Sequence, residues 1–181
     1  MSSTVPTNVR GQLPPGLRVI EVTAKWALGE FDQCVAVVWA GQPDPESMMQ
    51  RSRALEELCR RSPGRCALIE VVEATSKPPV DETRRVAMEV FRRLGNDLTA
   101  IAFVVEGNPV RTTLVRAIIT GMLFFVKQPQ PSKVFGRISD LAEWVRLKIG
   151  VDDPHFGATV AAVFEHLRYR LHHPEGAATA P

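Results

Sequence analysis

Short apolar runs near the start of the chain alternate with polar turn residues. Residues 17–23 and 34–39 are rich in β-branched side chains, and they flank a Gly-Glu-Phe-Asp turn region at residues 29–32. This pattern predicts an N-terminal β-hairpin whose first strand is irregular. Almost wholly apolar runs are typical of strands that are buried on both faces of a sheet. A short run of strand-forming residues later in the chain predicts one further strand. These further strands are predicted at residues 66–72, 98–105 and 133–138.

Helical patterns occupy the segments between and after these strands. In one of them Val86, Val90, Phe91 and Leu94 recur at helical spacing, and Gly95 follows at the position where a helix often ends. Capping side chains and prolines mark the expected helix starts. These start signals are Asp44-Pro45, Asp81, Asn108-Pro109, Ser139 and Asp153-Pro154.

The order of the elements is β-β-α-β-α-β-α-β-α with one more helix. Each later strand–helix–strand link is long enough for a right-handed parallel crossover. The sequence therefore predicts an α/β fold with a mixed, mostly parallel sheet of about five strands, an N-terminal β-hairpin, helices against the sheet and an extra C-terminal helix. We expect a disordered lead-in at residues 1–16, an α/β domain at 17–150, a helix at 151–173 that packs on or extends the domain, and a disordered tail at 174–181.

Composition and charge exclude several classes of partner. The net charge is +2, so no strong field favours nucleic acid, and the N-terminus lacks the apolar core of a signal peptide. Arginine outnumbers lysine, which favours a GC-rich bacterial source. The three cysteines, Cys34, Cys59 and Cys66, contain no CxxC spacing, so we expect buried thiols and no disulfide framework. The cytoplasm is the expected location.

The chain carries no recognisable catalytic or cofactor-binding motif. It has no GxSxG elbow, GxGxxG fingerprint, Walker loop or HExxH helix. His166 and His173 are seven residues apart and could share a helix face, but basic residues near a helix C-terminus have a plainer electrostatic explanation. We therefore predict no catalytic residue, no metal, no cofactor and no enzymatic activity.

The third predicted helix is apolar on almost every side. Residues 114–126 read LVRAIITGMLFFV, which is too short to span a membrane. Such a helix needs cover on more than its sheet-facing side, either from the terminal helix or from another chain. Its candidate self-association or pocket residues are Leu114, Ile118, Met122 and Phe125.

The order of elements resembles the STAS family, which has the anti-sigma-factor antagonist (SpoIIAA-like) fold, in its divergent STAS/SEC14-like branch. The resemblance spans residues 18–149 and rests on topology, on the strand ALIEVV before a helix that opens with Asp81-Glu82-Thr83, and on the ending KVFGRISDLAEWV. It implies that a protein partner docks around the second helix and the loop before it. The residues implied are Lys77, Asp81, Glu82, Thr83, Arg84 and Arg85.

The same resemblance implies a phosphorylation site. Switch members of the family open this helix with Asp-Ser-Ser-Gly, whose second serine is phosphorylated by a partner kinase. The matching stretch here places Thr83 at the phosphoacceptor position and Arg84 in place of the glycine. The alternative is that Thr83 is only a polar residue of the first helical turn.

Two functions follow as hypotheses. The first is a non-catalytic, regulatory, cytoplasmic module that binds a protein partner, with self-association as a homodimer through the apolar third helix left open as an option. The alternative is a small-molecule or lipid-binding protein that uses an apolar pocket beside the third helix.

Overall fold

The structure is a computed structural model that describes residues 13–125 and 131–174, without the side chains of residues 122–125. Most of the predicted lead-in and nearly all of the predicted tail therefore lie outside the described residues.

The core of the fold is a six-stranded sheet in the order β1-β2-β3-β4-β5-β6. The first three strands pair antiparallel, and β3 to β6 pair parallel. The predicted mixed, mostly parallel sheet is confirmed. The strands are β1 (Arg18–Val22), β2 (Trp26–Phe31), β3 (Cys34–Trp39), β4 (Cys66–Val72), β5 (Leu98–Val105) and β6 (Ser132–Phe135).

Five α-helices cover the sheet, and a short 3₁₀ turn follows the second. They are α1 (Pro45–Arg61), α2 (Asp81–Leu94), α3 (Pro109–Phe125), α4 (Ile138–Ile149) and α5 (Phe156–His172). The start signals at Asp44 and Asn108 are confirmed, because their side chains accept hydrogen bonds from the backbone N–H groups of Ser47 and Arg111 at 2.9 Å. Asp81 and Ser139 are not caps: α2 and α4 have N-caps without side-chain hydrogen bonds, and both residues lie inside the first turn.

The N-terminal segment has one strand more than predicted. Gly29 was assigned to a turn, but it lies inside β2, and the turn to β3 follows at Asp32, whose φ is +48°. Gly29 is required for close packing instead. A Cβ atom there would lie 2.8 Å from a methyl group of Leu17 and 3.3 Å from one of Leu167. The sequence alone does not distinguish a glycine that is needed for close packing from one that is needed for a turn.

The two faces of the sheet carry different helices. Three successive parallel crossovers of one hand run from β3 to β6, so α1, α2 and α3 lie on one face. We call this the open face. The other face packs against α4 and α5 and is called the closed face. Because α5 lies across the sheet from α3, the expectation that the terminal helix covers the third helix is wrong.

The cysteines also differ from the prediction. Cys59 at the end of α1 and Cys66 at the start of β4 form a disulfide on the open face, with Cα atoms 5.7 Å apart. That spacing is ordinary for a disulfide. Cys34 is a buried free thiol on the closed face, and burial raises its pKa well above the usual range.

Candidate functional site

The predicted partner-binding residues lie at the start of α2 and in the loop before it, beside the carboxyl end of β4. Lys77, Asp81, Glu82 and Arg85 are exposed. Arg84 is half-buried, and its guanidinium pairs with the Asp81 carboxylate one turn earlier. This end of α2 is accessible to a partner.

Thr83 is the exception in this set, because its side chain is 0% exposed. Its hydroxyl faces the carbonyl oxygen of Pro43 at 3.5 Å, under the loop that leads into α1. It lies on the same helix face as Ala87 and Phe91, four and eight residues later, which are also buried. A kinase could reach this hydroxyl only after the first turn of α2 moved away. The phosphoacceptor assignment remains a prediction.

A surface groove of about 560 Å³ separates α2 from α3. It brings together residues that the sequence suggested for two different roles: three from the partner-binding set and Ile118 from the self-association set. We call it the α2–α3 groove. Its lining residues are Asp81, Arg84, Arg85, Met88, Ala117, Ile118 and Gly121.

The solvent side of α3 carries an apolar stripe beside this groove. Val110 is 81% exposed, Leu114 is 56% exposed, and Ile118 is half-buried at the same helical phase. We call these three residues the α3 stripe. Met122 continues this spacing, but its side chain and that of Phe125 lie outside the described residues. The opposite side of the helix, with Val115 and Ile119, packs on the sheet.

One cation in the groove is not neutralised. Arg84 is paired with Asp81, whereas Arg85 has no ion-pair partner anywhere in the described ranges. The α2–α3 groove therefore combines an apolar wall with a free guanidinium, which suits a partner segment that carries apolar side chains and a carboxylate.

A second concave site lies beneath the helices of the open face. It is a cavity of about 60 Å³ between the sheet and α1, α2 and α3, and we call it the inner cavity. The loop of residues 76–79 forms its roof. Two hydrogen bonds of 2.8 Å connect this loop to the loop before α1. The Ser76 hydroxyl donates to the Gly41 carbonyl, and the Gln42 side-chain amide donates to the Pro78 carbonyl.

A buried ion pair borders the inner cavity. The Arg51 Nη1 of α1 donates to Glu70 Oε1 of β4 at 2.6 Å, and both side chains are almost fully buried. The Trp39 indole N–H donates to the other Glu70 oxygen at 3.1 Å. The Arg51 guanidinium also lies 5.0 Å from the centre of the Phe91 ring. Each oxygen of the Glu70 carboxylate therefore accepts a hydrogen bond, and the Phe91 ring covers the guanidinium.

This ion pair was not predicted from the sequence, although two signals in the chain indicate it. Glu70 is the one charged residue in the otherwise apolar run CALIEVV. Arg51 lies three residues after Met48 and four before Leu55, so it shares the buried face of α1. A charge at a core position of a helix and another in a buried strand predict a buried pair.

Other charged residues fasten loops and helices to one another. The Arg111 guanidinium donates to the Glu73 carbonyl at 2.9 Å, and His172 of α5 lies 3.1 Å from the Glu73 carboxylate.

His166 is buried, whereas His173 is exposed and stacks on Tyr169. Within residues 13–125 and 131–174, no three His, Cys, Asp or Glu side chains are placed to hold a metal ion. No helix in those ranges is both long and apolar enough to cross a membrane.

Comparisons with known proteins yield a likeness of fold. No family model matches the chain, and no curated protein matches it. Among solved structures, the chain is similar to an uncharacterized protein of the DUF3478 family with a SpoIIAA-like fold from Shewanella loihica PV-4. The two are 16% identical, and the likeness covers 67% of this chain and 93% of that chain with a TM-score of 0.46. That description matches the SpoIIAA-like, STAS-like fold predicted from the sequence, and it says nothing about function.

Proposed function

We propose that this protein is a non-catalytic regulatory module that binds a protein partner through the α2–α3 groove and the α3 stripe. The observation that carries the proposal is the exposure of apolar residues of α3 directly beside a groove with an unpaired arginine. Exposed apolar surface of this kind costs solubility and is typical of interaction sites.

The chemistry of the groove defines the partner segment. Met88 and Ile118 offer apolar contacts, and the guanidinium of Arg85 offers a charge-assisted hydrogen bond at the rim. We expect an amphipathic segment that places an acidic side chain against Arg85 and apolar side chains against α3. A second copy of this chain is the competing occupant.

Site-specific photo-cross-linking in the native host tests the proposal. A photoreactive phenylalanine analogue replaces Met88 in the groove, and a matched probe replaces Leu147, an exposed residue of α4 on the closed face. We expect a cross-linked protein from position 88 and none from position 147. An adduct with the mass of two copies of this chain would identify a homodimer instead.

Charge reversal at Arg85 then tests whether the α2–α3 groove is responsible for the cross-linking. Arg85→Glu is expected to abolish the adduct and to weaken rebinding of the purified partner at least tenfold. Arg65→Glu is the control, because Arg65 is also exposed and its guanidinium has no partner in the described structure, but it lies at the opposite end of β4. Equal cross-linking at positions 88 and 147, or an adduct that survives Arg85→Glu, would contradict the proposal.

A further inference from the structure

We propose that the inner cavity binds a small, uncharged and mostly apolar ligand that presents one acceptor oxygen to Arg51. This inference goes beyond the proposed function, because the cavity lies beneath α1, α2 and α3, whereas the α2–α3 groove lies on the outer surface. The two sites can therefore be tested independently.

Apolar side chains form most of the cavity wall. They come from three strands and three helices, β3, β4, β5, α1, α2 and α3, so the cavity is a product of the whole open face and not of one loop. Large apolar contributions come from Met48 of α1, Phe91 of α2, Phe103 of β5, and Val115 and Ile119 of α3. Ligand pockets typically combine such a lining with few polar groups.

The main polar group beside the cavity is the Arg51 guanidinium, whose N–H groups do not all have hydrogen-bond partners among the described residues. Arg51 is 1% exposed, and its Nη1 is occupied by Glu70. Its Nε–H is buried and has no hydrogen-bond partner among residues 13–125 and 131–174, and the residue lines the cavity. A buried donor without an acceptor is unfavourable, so an oxygen that enters the cavity gains a hydrogen bond that the protein itself leaves unmade.

The charges around the cavity favour a neutral ligand. Glu70 lies 2.6 Å from Arg51 and already neutralises the guanidinium. An anionic ligand would meet the buried Glu70 carboxylate, and a cationic ligand would meet Arg51. A carbonyl or hydroxyl oxygen accepts from Nε without adding a buried charge.

Ordered water is the competing occupant of the inner cavity. A water there could accept from Arg51 Nε and donate to the remaining lone pairs of Glu70 and Ser76. A ligand with one acceptor oxygen and an apolar body makes the same bond to Nε and also contacts the apolar lining, which water does not.

Three small probes matched to a cavity of about 60 Å³ test the site by NMR: acetone, propane and acetate. The reporter is the indole N–H of Trp39, which borders the cavity, and the internal control is the indole N–H of Trp144 on α4. We expect acetone to shift the Trp39 signal saturably and leave the Trp144 signal in place. We expect propane and acetate to bind at least tenfold more weakly.

Two sets of variants locate the binding. Ala87→Leu fills the cavity from α2 and should abolish the shift, whereas Ala161→Leu on an exposed position of α5 should not. Val115→Phe fills the same space from α3 if Ala87→Leu does not fold. Arg51→Met with Glu70→Gln removes donor and charge together and should erase the preference for acetone over propane.

The proposal fails if none of the three probes shifts the Trp39 signal saturably, or if filling the cavity leaves acetone affinity unchanged. Tighter binding of acetate than of acetone would overturn the assignment of a neutral ligand.

Discussion

The closed face and the open face of the sheet differ in how completely the chain covers them. On the closed face, α5 buries a continuous apolar stripe from Phe156 through Phe164 to Leu167, although the Leu147 side chain of α4 is exposed. On the open face three helices cover the same sheet, yet α3 leaves the Val110 and Leu114 side chains in solvent. The open face also holds the inner cavity and the buried ion pair.

This difference separates two tasks within one sheet. A tightly packed face contributes stability, because its residues lose contacts and leave a cavity when they are truncated. A face with spare apolar surface, a cavity and a charge pair has contacts that its own chain does not use. We therefore expect truncations on the closed face to act on folding, and surface changes on the open face to act on binding.

The largest loss of stability is expected when the buried ion pair of the open face is broken. Arg51→Met should lower the free energy of unfolding by about 3–5 kcal/mol, because it leaves the Glu70 carboxylate buried without its cation. Urea denaturation measures this loss. Arg51→Met with Glu70→Gln should recover most of it, since no buried charge then remains.

A loss below about 1 kcal/mol for Arg51→Met would show that Glu70 finds another partner or water. The open face would then be looser around the cavity than its contacts indicate.

Two leucine-to-alanine substitutions compare directly how much each face contributes to stability. Leu167 of α5 is fully buried, and one of its methyl groups packs closely over Gly29 of β2. Leu167→Ala should cost about 2–5 kcal/mol. Leu114→Ala on the α3 stripe should change stability by less than about 0.5 kcal/mol, because the side chain is largely in water. Equal losses in urea denaturation would contradict the distinction between the faces.

The cysteines provide the next smaller effect. Reducing the Cys59–Cys66 disulfide should lower stability by about 2 kcal/mol, because only a short loop is released. Thiol titration of the unfolded protein should find one thiol, Cys34, before reduction and three afterwards. Three thiols without reductant would mean that the open face carries no covalent link.

Much of the fold could be predicted from local patterns. Apolar runs marked β4 and β5, and the caps at Asp44 and Asn108 marked the starts of α1 and α3. The chain order of strands and helices, with the handedness of crossovers, then fixed a mostly parallel sheet. These features depend on neighbours within a few residues, so the sequence displays them directly.

The remaining features depend on contacts between distant residues. Gly29 looked like a turn because its need for space arises from Leu17 and Leu167, which are far away or on another element. Thr83 looked exposed because the loop that covers it comes from residues 41–43.

The candidate site shows the same limit. The groove needs α2 and α3 side by side, and the sequence assigned Arg85 and Ile118 to separate surfaces.

The smallest effect concerns a cap on the open face. Asp44 accepts the backbone N–H of Ser47, and this hydrogen bond is the main reason that the pKa of its carboxyl group is lowered. The Ser47 hydroxyl oxygen in turn accepts a hydrogen bond from the Asp44 backbone N–H at 3.1 Å, which completes a capping box. Asp44→Ala should therefore cost about 1 kcal/mol at neutral pH.

The pH dependence of that cost follows from the direction of the shift. Because the pKa of Asp44 is lower in the folded protein, its charge stabilises the fold above the unfolded value of about 3.9. That contribution disappears as the pH falls through the lower, folded pKa. The stability difference between wild type and Asp44→Asn should thus be constant near neutrality and shrink below about pH 4.

Asp140 on α4 of the closed face offers a matched control. The pKa of its carboxyl group is also lowered, but chiefly by the side-chain hydrogen bond and charge of an exposed arginine, Arg137. Salt screens such an exposed pair, whereas it barely affects a hydrogen bond to the backbone. Asp140→Asn should therefore lose its effect at high ionic strength, and Asp44→Ala should keep it. If both effects vanished in salt, Asp44 would act as a surface charge, and the start of α1 would be held by packing alone.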